Sequence, residues 1–312
     1  MIILKFLRTL PILAPKKEKF MNKDMPKLNH FTERRSFLLA QVNATETSGD
    51  VTIDIPQDAL VATNKEGRKF FEADPMNKGI YRWPAGGVGL ILELNDANIL
   101  LAIYRDKDAP SYGGHDTLSS GLGSSVRELL YPLETAWREG AEELCITTPD
   151  SVICPIPEND HFGFGIELSE VVRGTANLFP ELIEKKVVDV ATTFLPLRGE
   201  REIIINYAGK QRRSRGLVVF DAGCNGIDII KAVVVPVNCS LSELKVYDGE
   251  LGSGSKPEPL NRRVNAYALD GNFRPLGGGI IASWIRGERV ETETKQNPMT
   301  PVLKVFYEAL NC

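Results

Sequence analysis

"PLETAWREGAEEL", Pro132 to Leu144, has the apolar spacing of a helix and a charge pattern that works against one. At about 100° per residue, Leu133, Ala136, Trp137, Gly140, Ala141 and Leu144 share one arc, the face expected to be buried. Glu139, Glu142 and Glu143 share the adjacent arc, with Arg138 on the far side of Glu142 and Glu134 away from the three. Like charges three and four residues apart each cost about 0.2–0.5 kcal/mol. Gly140 costs about 1 kcal/mol more against alanine inside a helix. Its place on the apolar arc predicts a neighbouring backbone close by. Pro132 suits the first turn, and the periodicity extends the predicted helix to Ile146.

A solvated acidic face is the plain explanation of the glutamates. The flanks suggest another. Upstream, Val88–Leu94 and Ile99–Tyr104 are β-rich runs around the polar turn Asn95–Asn98, the pattern of a hairpin. The glycine- and serine-rich stretch "SYGGHDTLSSGLGSS" then leads into the helix. Gly121 and Gly123 can present backbone carbonyls with no side chain in the way. Three carboxylates together with carbonyls are hard oxygen ligands of the kind that bind Mg²⁺ or Mn²⁺, which in turn bind phosphate.

Further along, "REIIINYAG", "RGLVVFDAG" and "GIDIIKAVVVPV" predict strands, the last apolar enough for the middle of a sheet. "DHFGFGIELSEV" and "VVDVATTFLPL" read as strand or mixed, and "SLSELKVYDGELGSGSKPEP" as a short helix and a loop. "TPVLKVFYEAL" predicts an amphipathic helix with Thr300 as N-cap and Pro301 at its first position. The order of elements predicts an α/β class protein, a mixed β-sheet packed between helices as an α/β/α sandwich.

"REGAEEL", with the glycine loop and the hairpin before it, resembles the box of the Nudix hydrolase family. There a glycine and a glutamate precede Arg-Glu-aliphatic-x-Glu-Glu-x-Gly-aliphatic. Arg138, Glu139, Glu142, Glu143 and Ile146 match. Gly123 stands one residue too far from Arg138, and Leu130 holds the place of the upstream glutamate, for which Glu128 or Glu134 could substitute. Gly140 replaces an aliphatic and Cys145 a glycine. The resemblance covers roughly Gly86–Leu310. It implies a Nudix hydrolase domain over 76–312 with a long insertion after the box helix at about 150–215, and an N-terminal extension or small β-rich lobe over 1–75.

The family hydrolyses a nucleoside diphosphate linked to a further group. The resemblance implies that Glu139, Glu142 and Glu143 hold Mg²⁺ (or Mn²⁺), that Arg138 orients a box carboxylate, and that a carbonyl of Gly121–Gly123 completes the metal shell. Glu250, in the glycine-rich "VYDGELGSG", is the candidate general base, with an exposed loop acid as the alternative. Arg105, at the end of the hairpin, is a candidate substrate contact. The first expected substrate is a nucleoside triphosphate, including non-standard purines, split to monophosphate and pyrophosphate. ADP-ribose or another dinucleotide is second. Capped RNA is third, on the strength of the basic "GKQRRSRG" (Gly209–Gly216), for which a solvated hairpin loop is the alternative. A Nudix-fold sensor that binds nucleotide without cleaving it is the competing class. A homodimer is implied by resemblance alone.

The bulk numbers fit these expectations. The chain has 312 residues, 43% hydrophobic and 25% charged, with net charge −4. That balance gives no reason to expect nucleic acid or an anionic membrane as main partner. Five scattered cysteines form no CxxC pair, which points away from zinc or a disulfide framework and towards the cytoplasm. In "MIILKFLRTLPILAPKKEKF", Lys5, Arg8 and Pro11 break the apolar run short of the roughly 20 residues of a membrane span. His30, His115 and His161 lack ligand spacing.

Overall fold

The computed structural model describes residues 41–46, 49–55, 80–82, 84–109, 112–122, 130–157, 168–221, 226–251, 257–291 and 297–311. Along the chain come β1 (Gln41–Glu46), β2 (Asp50–Ile55), β3 (Ile80–Arg82), β4 (Pro84–Glu93), β5 (Asn98–Tyr104), β6 (Asp116–Thr117) and β7 (Ser119–Leu122). Helix α1 (Pro132–Glu143) follows, then β8 (Leu144–Thr147), β9 (Ser151–Pro157) and α2 (Leu168–Ala176). Next are β10 (Lys186–Leu195), β11 (Arg201–Tyr207), β12 (Lys210–Asp221), β13 (Gly226–Pro236), β14 (Lys245–Glu250) and β15 (Glu258–Pro259). β16 (Val264–Leu269), β17 (Pro275–Ile285), β18 (Glu288–Arg289) and α3 (Pro301–Ala309) complete the described elements. The molecule is a mixed α/β protein with a curled mixed sheet and few helices. No helix among the described residues is long and apolar enough to cross a membrane.

Strand β4 is the hub. It runs parallel to β13 along its whole length, from Pro84 opposite Ile227 to Glu93 opposite Pro236. Its last residues form the expected hairpin with β5, and its first half pairs antiparallel with β7. Alternation then sorts its side chains. Val88, Leu90 and Leu92 pack with Ala136 and Trp137 of α1, whereas Ile91 packs with Leu303 and Phe306 of α3. Two glycines let the helices approach. A Cβ on Gly86 would lie 1.5 Å from the Pro132 carbonyl oxygen, and one on Gly89 would lie 2.0 Å from the Phe306 ring. Helix α3 begins as its sequence predicts, with the Thr300 hydroxyl accepting from the Leu303 N–H at 3.3 Å.

Two long strands curl the sheet. β10 pairs with β9 through Thr192 and with β13 from Thr193 onward. β12 pairs with β11 through Gly216 and with β13 from Leu217 onward. The polarity of "KQRRSRGLVVFD" changes at the same point, because the first half is exposed and Leu217, Val218 and Val219 are buried. Beyond β12, β11 pairs parallel with β2 of the N-terminal segment.

The structure corrects four local expectations. Lys210–Arg215 is a strand, not a solvated loop. The turn before it is Ala208-Gly209, both at positive φ, as a two-residue hairpin connection requires. Arg212 stacks on Tyr131, Arg213 pairs with Glu202, and Arg215 lies 3.6 Å from Glu200. The box helix ends at Glu143, three residues short of Ile146. Leu144 is already extended (φ −112°, ψ 126°), and Leu144–Thr147 is a buried strand paired with β9 and β14. The end of "DHFGFGIELSEV" is helix α2, whose Val172, Thr175 and Ala176 are buried. Lys245–Glu250 is a strand rather than helix and loop. Of the expected N-terminal extension over 1–75, residues 1–40, 47–48 and 56–75 lie outside the described residues.

Candidate functional site

Helix α1 lies against β4 and β7 through Ala136, Trp137 and Gly140, its Ala141 packs with Val152 of β9 and Val172 of α2, and the Trp137 indole N–H donates to the Pro155 carbonyl at 3.1 Å. That contact fixes the helix in rotation and leaves Glu139, Glu142 and Glu143 in its last two turns at the margin of the core. Carboxylates there face both one another and the negative end of the helix dipole. Two guanidinium groups offset that. Arg138 donates from one nitrogen to Glu142 and from another to Glu139, each at 2.8 Å. The side chains of Glu139, Glu142 and Glu143 remain 22%, 14% and 16% exposed, so all three reach solvent.

Glu143 is held from elsewhere. One of its oxygens accepts from the Ser119 hydroxyl of β7 at 3.0 Å, and the other from Arg262 at 3.3 Å. Arg262 makes two shorter bonds, of 2.7 and 2.8 Å, to both oxygens of Asp248 on β14. Asp248 is 1% exposed. Burial works against the charge on Arg262, yet Glu143 and Asp248 outweigh it and hold the guanidinium above its usual range. The end of α1 is braced from behind by Thr175 of α2, whose hydroxyl donates to the Ala141 carbonyl at 2.7 Å. Ala141 is one of the terminal carbonyls with no partner inside its own helix.

The structure thus brings together Arg138, Glu139, Glu142 and Glu143, with Ser119, Asp248 and Arg262 added. Gly121 lies in β7 opposite Gly86, and Gly123 lies outside the described residues. Arg105 directly follows β5, its N–H donating to the His115 carbonyl and its own carbonyl accepting from Gly114. Glu250 is the last residue of β14, opposite Glu258, and not a member of the following loop as expected. Asp248 breaks the apolar alternation of β14, so the sequence marks neither the strand nor the residue. Nothing local marks Arg262, because its partners Asp248 and Glu143 are 14 and 119 residues away.

A second polar cluster stands apart from the helix. Asp116 is fully buried and accepts from the Tyr267 hydroxyl, from Asn265 at 2.8 Å and from Asn297 at 3.2 Å. Ser283 extends the chain by donating to Asn265 at 2.6 Å. Burial pushes the Asp116 carboxyl up, against the pull of these three donors and of Arg263. Its backbone also receives the Thr300 N–H, so the cluster ties β6 to the start of α3.

Among the described residues, Glu139, Glu142, Glu143 and Asp248 stand with the guanidinium groups of Arg138 and Arg262 at the end of α1. Carboxylate oxygens are hard donors and suit Mg²⁺ or Mn²⁺ in type. In this arrangement Arg138 and Arg262 take up carboxylate oxygens, and no three acidic, histidine or cysteine side chains among the described residues converge as a ready ligand set. Compared with models of known protein families and with curated proteins, the chain matches none.

Proposed function

We propose that the chain is a Nudix-type hydrolase that depends on Mg²⁺ or Mn²⁺ and splits a pyrophosphate bond in a nucleoside diphosphate joined to a further group. The observation that carries this reading is the carboxylate set in the last two turns of α1, organised by Arg138 within the helix and by Ser119 and Arg262 from outside it. An acidic face serving only solubility needs no such arrangement. Support also comes from the setting, a helix that follows a glycine-bearing strand and lies on the hub of a mixed sheet.

In this reading Glu139, Glu142 and Glu143 would hold the cation. When bound, the cation neutralises the pyrophosphate and lowers the pKa of the attacking water. The chain's own work is placement. Arg138 fixes Glu139 and Glu142 relative to each other, and Ser119 fixes Glu143. Glu250 shares a strand with Asp248 and is the proposed proton acceptor from water, and Arg105 is a proposed phosphate contact. A nucleoside triphosphate, cut to monophosphate and pyrophosphate, is the first substrate, and ADP-ribose or another dinucleotide the second. A homodimer in the cytoplasm belongs to the same proposal.

One observation favours a non-catalytic nucleotide sensor instead, namely that all three box glutamates are already engaged by guanidinium groups. Turnover decides. The purified chain is incubated with Mg²⁺ and a panel of nucleotides, and the products are resolved by chromatography. Glu142→Gln and Glu143→Gln are expected to lower turnover at least about 100-fold, the scale at which a removed charge-stabilising group acts. Binding without turnover would select the sensor, and equal turnover by the variants would remove the box from the chemistry.

A further inference from the structure

We propose that Arg262 is a built-in counter-cation that lowers the affinity of Glu143 for a divalent cation. The inference rests on the hydrolase reading above and assigns a role to a residue outside the box.

The geometry separates two tasks that one arginine could perform. Holding Glu143 in place is already done by Ser119, which donates to one carboxylate oxygen at 3.0 Å. Arg262 takes the other oxygen, through one nitrogen and at the longer distance of 3.3 Å. Its shorter bonds, 2.7 and 2.8 Å, go to Asp248. The guanidinium is therefore aimed by strand β14, and Asp248, at 1% exposure, is too buried to serve solvent. What Arg262 supplies at Glu143 is charge. A positive group in contact with a carboxylate uses one of its acceptor positions and repels a second cation there. Arg138 differs, because it lies on the helix itself and bridges two carboxylates in neighbouring turns.

The test is Mn²⁺ titration of the full chain without nucleotide, read by the paramagnetic resonance of free Mn²⁺. Arg262→Gln is expected to bind Mn²⁺ about tenfold more tightly than the parent, because a contact repulsion is removed. Arg262→Lys keeps the positive charge and is expected to stay near the parent affinity. Loss of Arg262 alone strands a buried carboxylate, so the double variant Arg262→Gln with Asp248→Asn serves beside it, with its fold checked by circular dichroism. It too is expected to bind more tightly. Folded variants that bind no more tightly than a parent that does bind would overturn the role of Arg262 and leave the hydrolase reading standing. No Mn²⁺ binding by any of the proteins would overturn both. Binding gained only when Arg262 is removed would support its role and count against the hydrolase.

Discussion

Gly140 meets β7 at the Ser119 side chain, in the turn of α1 that carries Glu139 and Glu143. Its position on the apolar arc predicts a close neighbouring backbone. The nearest atom to a Cβ placed there is the Ser119 hydroxyl oxygen at 3.6 Å, an ordinary contact. Beside it is a cavity of about 20 Å³ lined by Val88, Leu90, Trp137 and Pro155 among others. Gly140→Ala is therefore expected to stabilise the protein by up to about 1 kcal/mol, read as a higher urea midpoint at unchanged slope. A lower midpoint would mean that Ser119 must move and loosen Glu143. Asp116 supports a second prediction. Its folded pKa is raised from 3.8 by burial, so the stability it contributes is complete below about 3.8 and is lost as pH climbs through the raised value. The Tm of the parent minus that of Asp116→Asn is expected to fall as pH rises from 4. A difference that grows with pH would show that the three donors outweigh burial.

Between elements, the decisive contact is β4 against α1. A Cβ on Gly86 would meet backbone, and backbone cannot swing aside. Gly86→Ala is expected to cost about 1–3 kcal/mol or more and to displace the start of α1, seen as a lowered Tm and lost near-ultraviolet signal from Trp137. Much at this scale was legible. The hairpin, the apolar run of β13 and the capped α3 all follow from periodicity and turn chemistry. Of the four corrected features, three have a clear physical cause. The end of α1 is set by the pairing of Leu144–Thr147 with β9 and β14, which overrides a helical pattern that continues to Ile146. Helix α2 spans only nine residues after a glycine-rich run, too short for its stripe to stand out. In β14 the buried Asp248 interrupts the alternation that would have announced a strand. Of the site, the four box residues were legible because they lie within six positions of one helix. Ser119, Asp248 and Arg262 come from separate strands and loops, and only the folded sheet joins them.

At the scale of the whole molecule, β4 and β13 form a deeply enclosed pair. Ile91, Leu92, Ile229, Ile230, Ala232 and Val233 are each fully buried, and β13 also hydrogen-bonds to β10 and β12. Local openings that expose their amides would disrupt the most structure. Hydrogen exchange is expected to be slowest at Leu90–Leu92 and Ile229–Val234, and faster by orders of magnitude in the exposed half of β12. Comparable protection in the two places would mean that the sheet opens as a single unit.

The double membership of β10 and β12 carries a consequence for modularity. A segment joined to its host at loops can be clipped out and the ends rejoined. Here each of the two strands begins in a peripheral layer and ends beside β13. A cut that removes Lys186–Arg215 takes with it all of β10, including the end paired with β13, and the half of β12 that leads into buried Leu217. The stretch is woven into the protein, not appended to it, and any shortened form would have to keep both strands at full length.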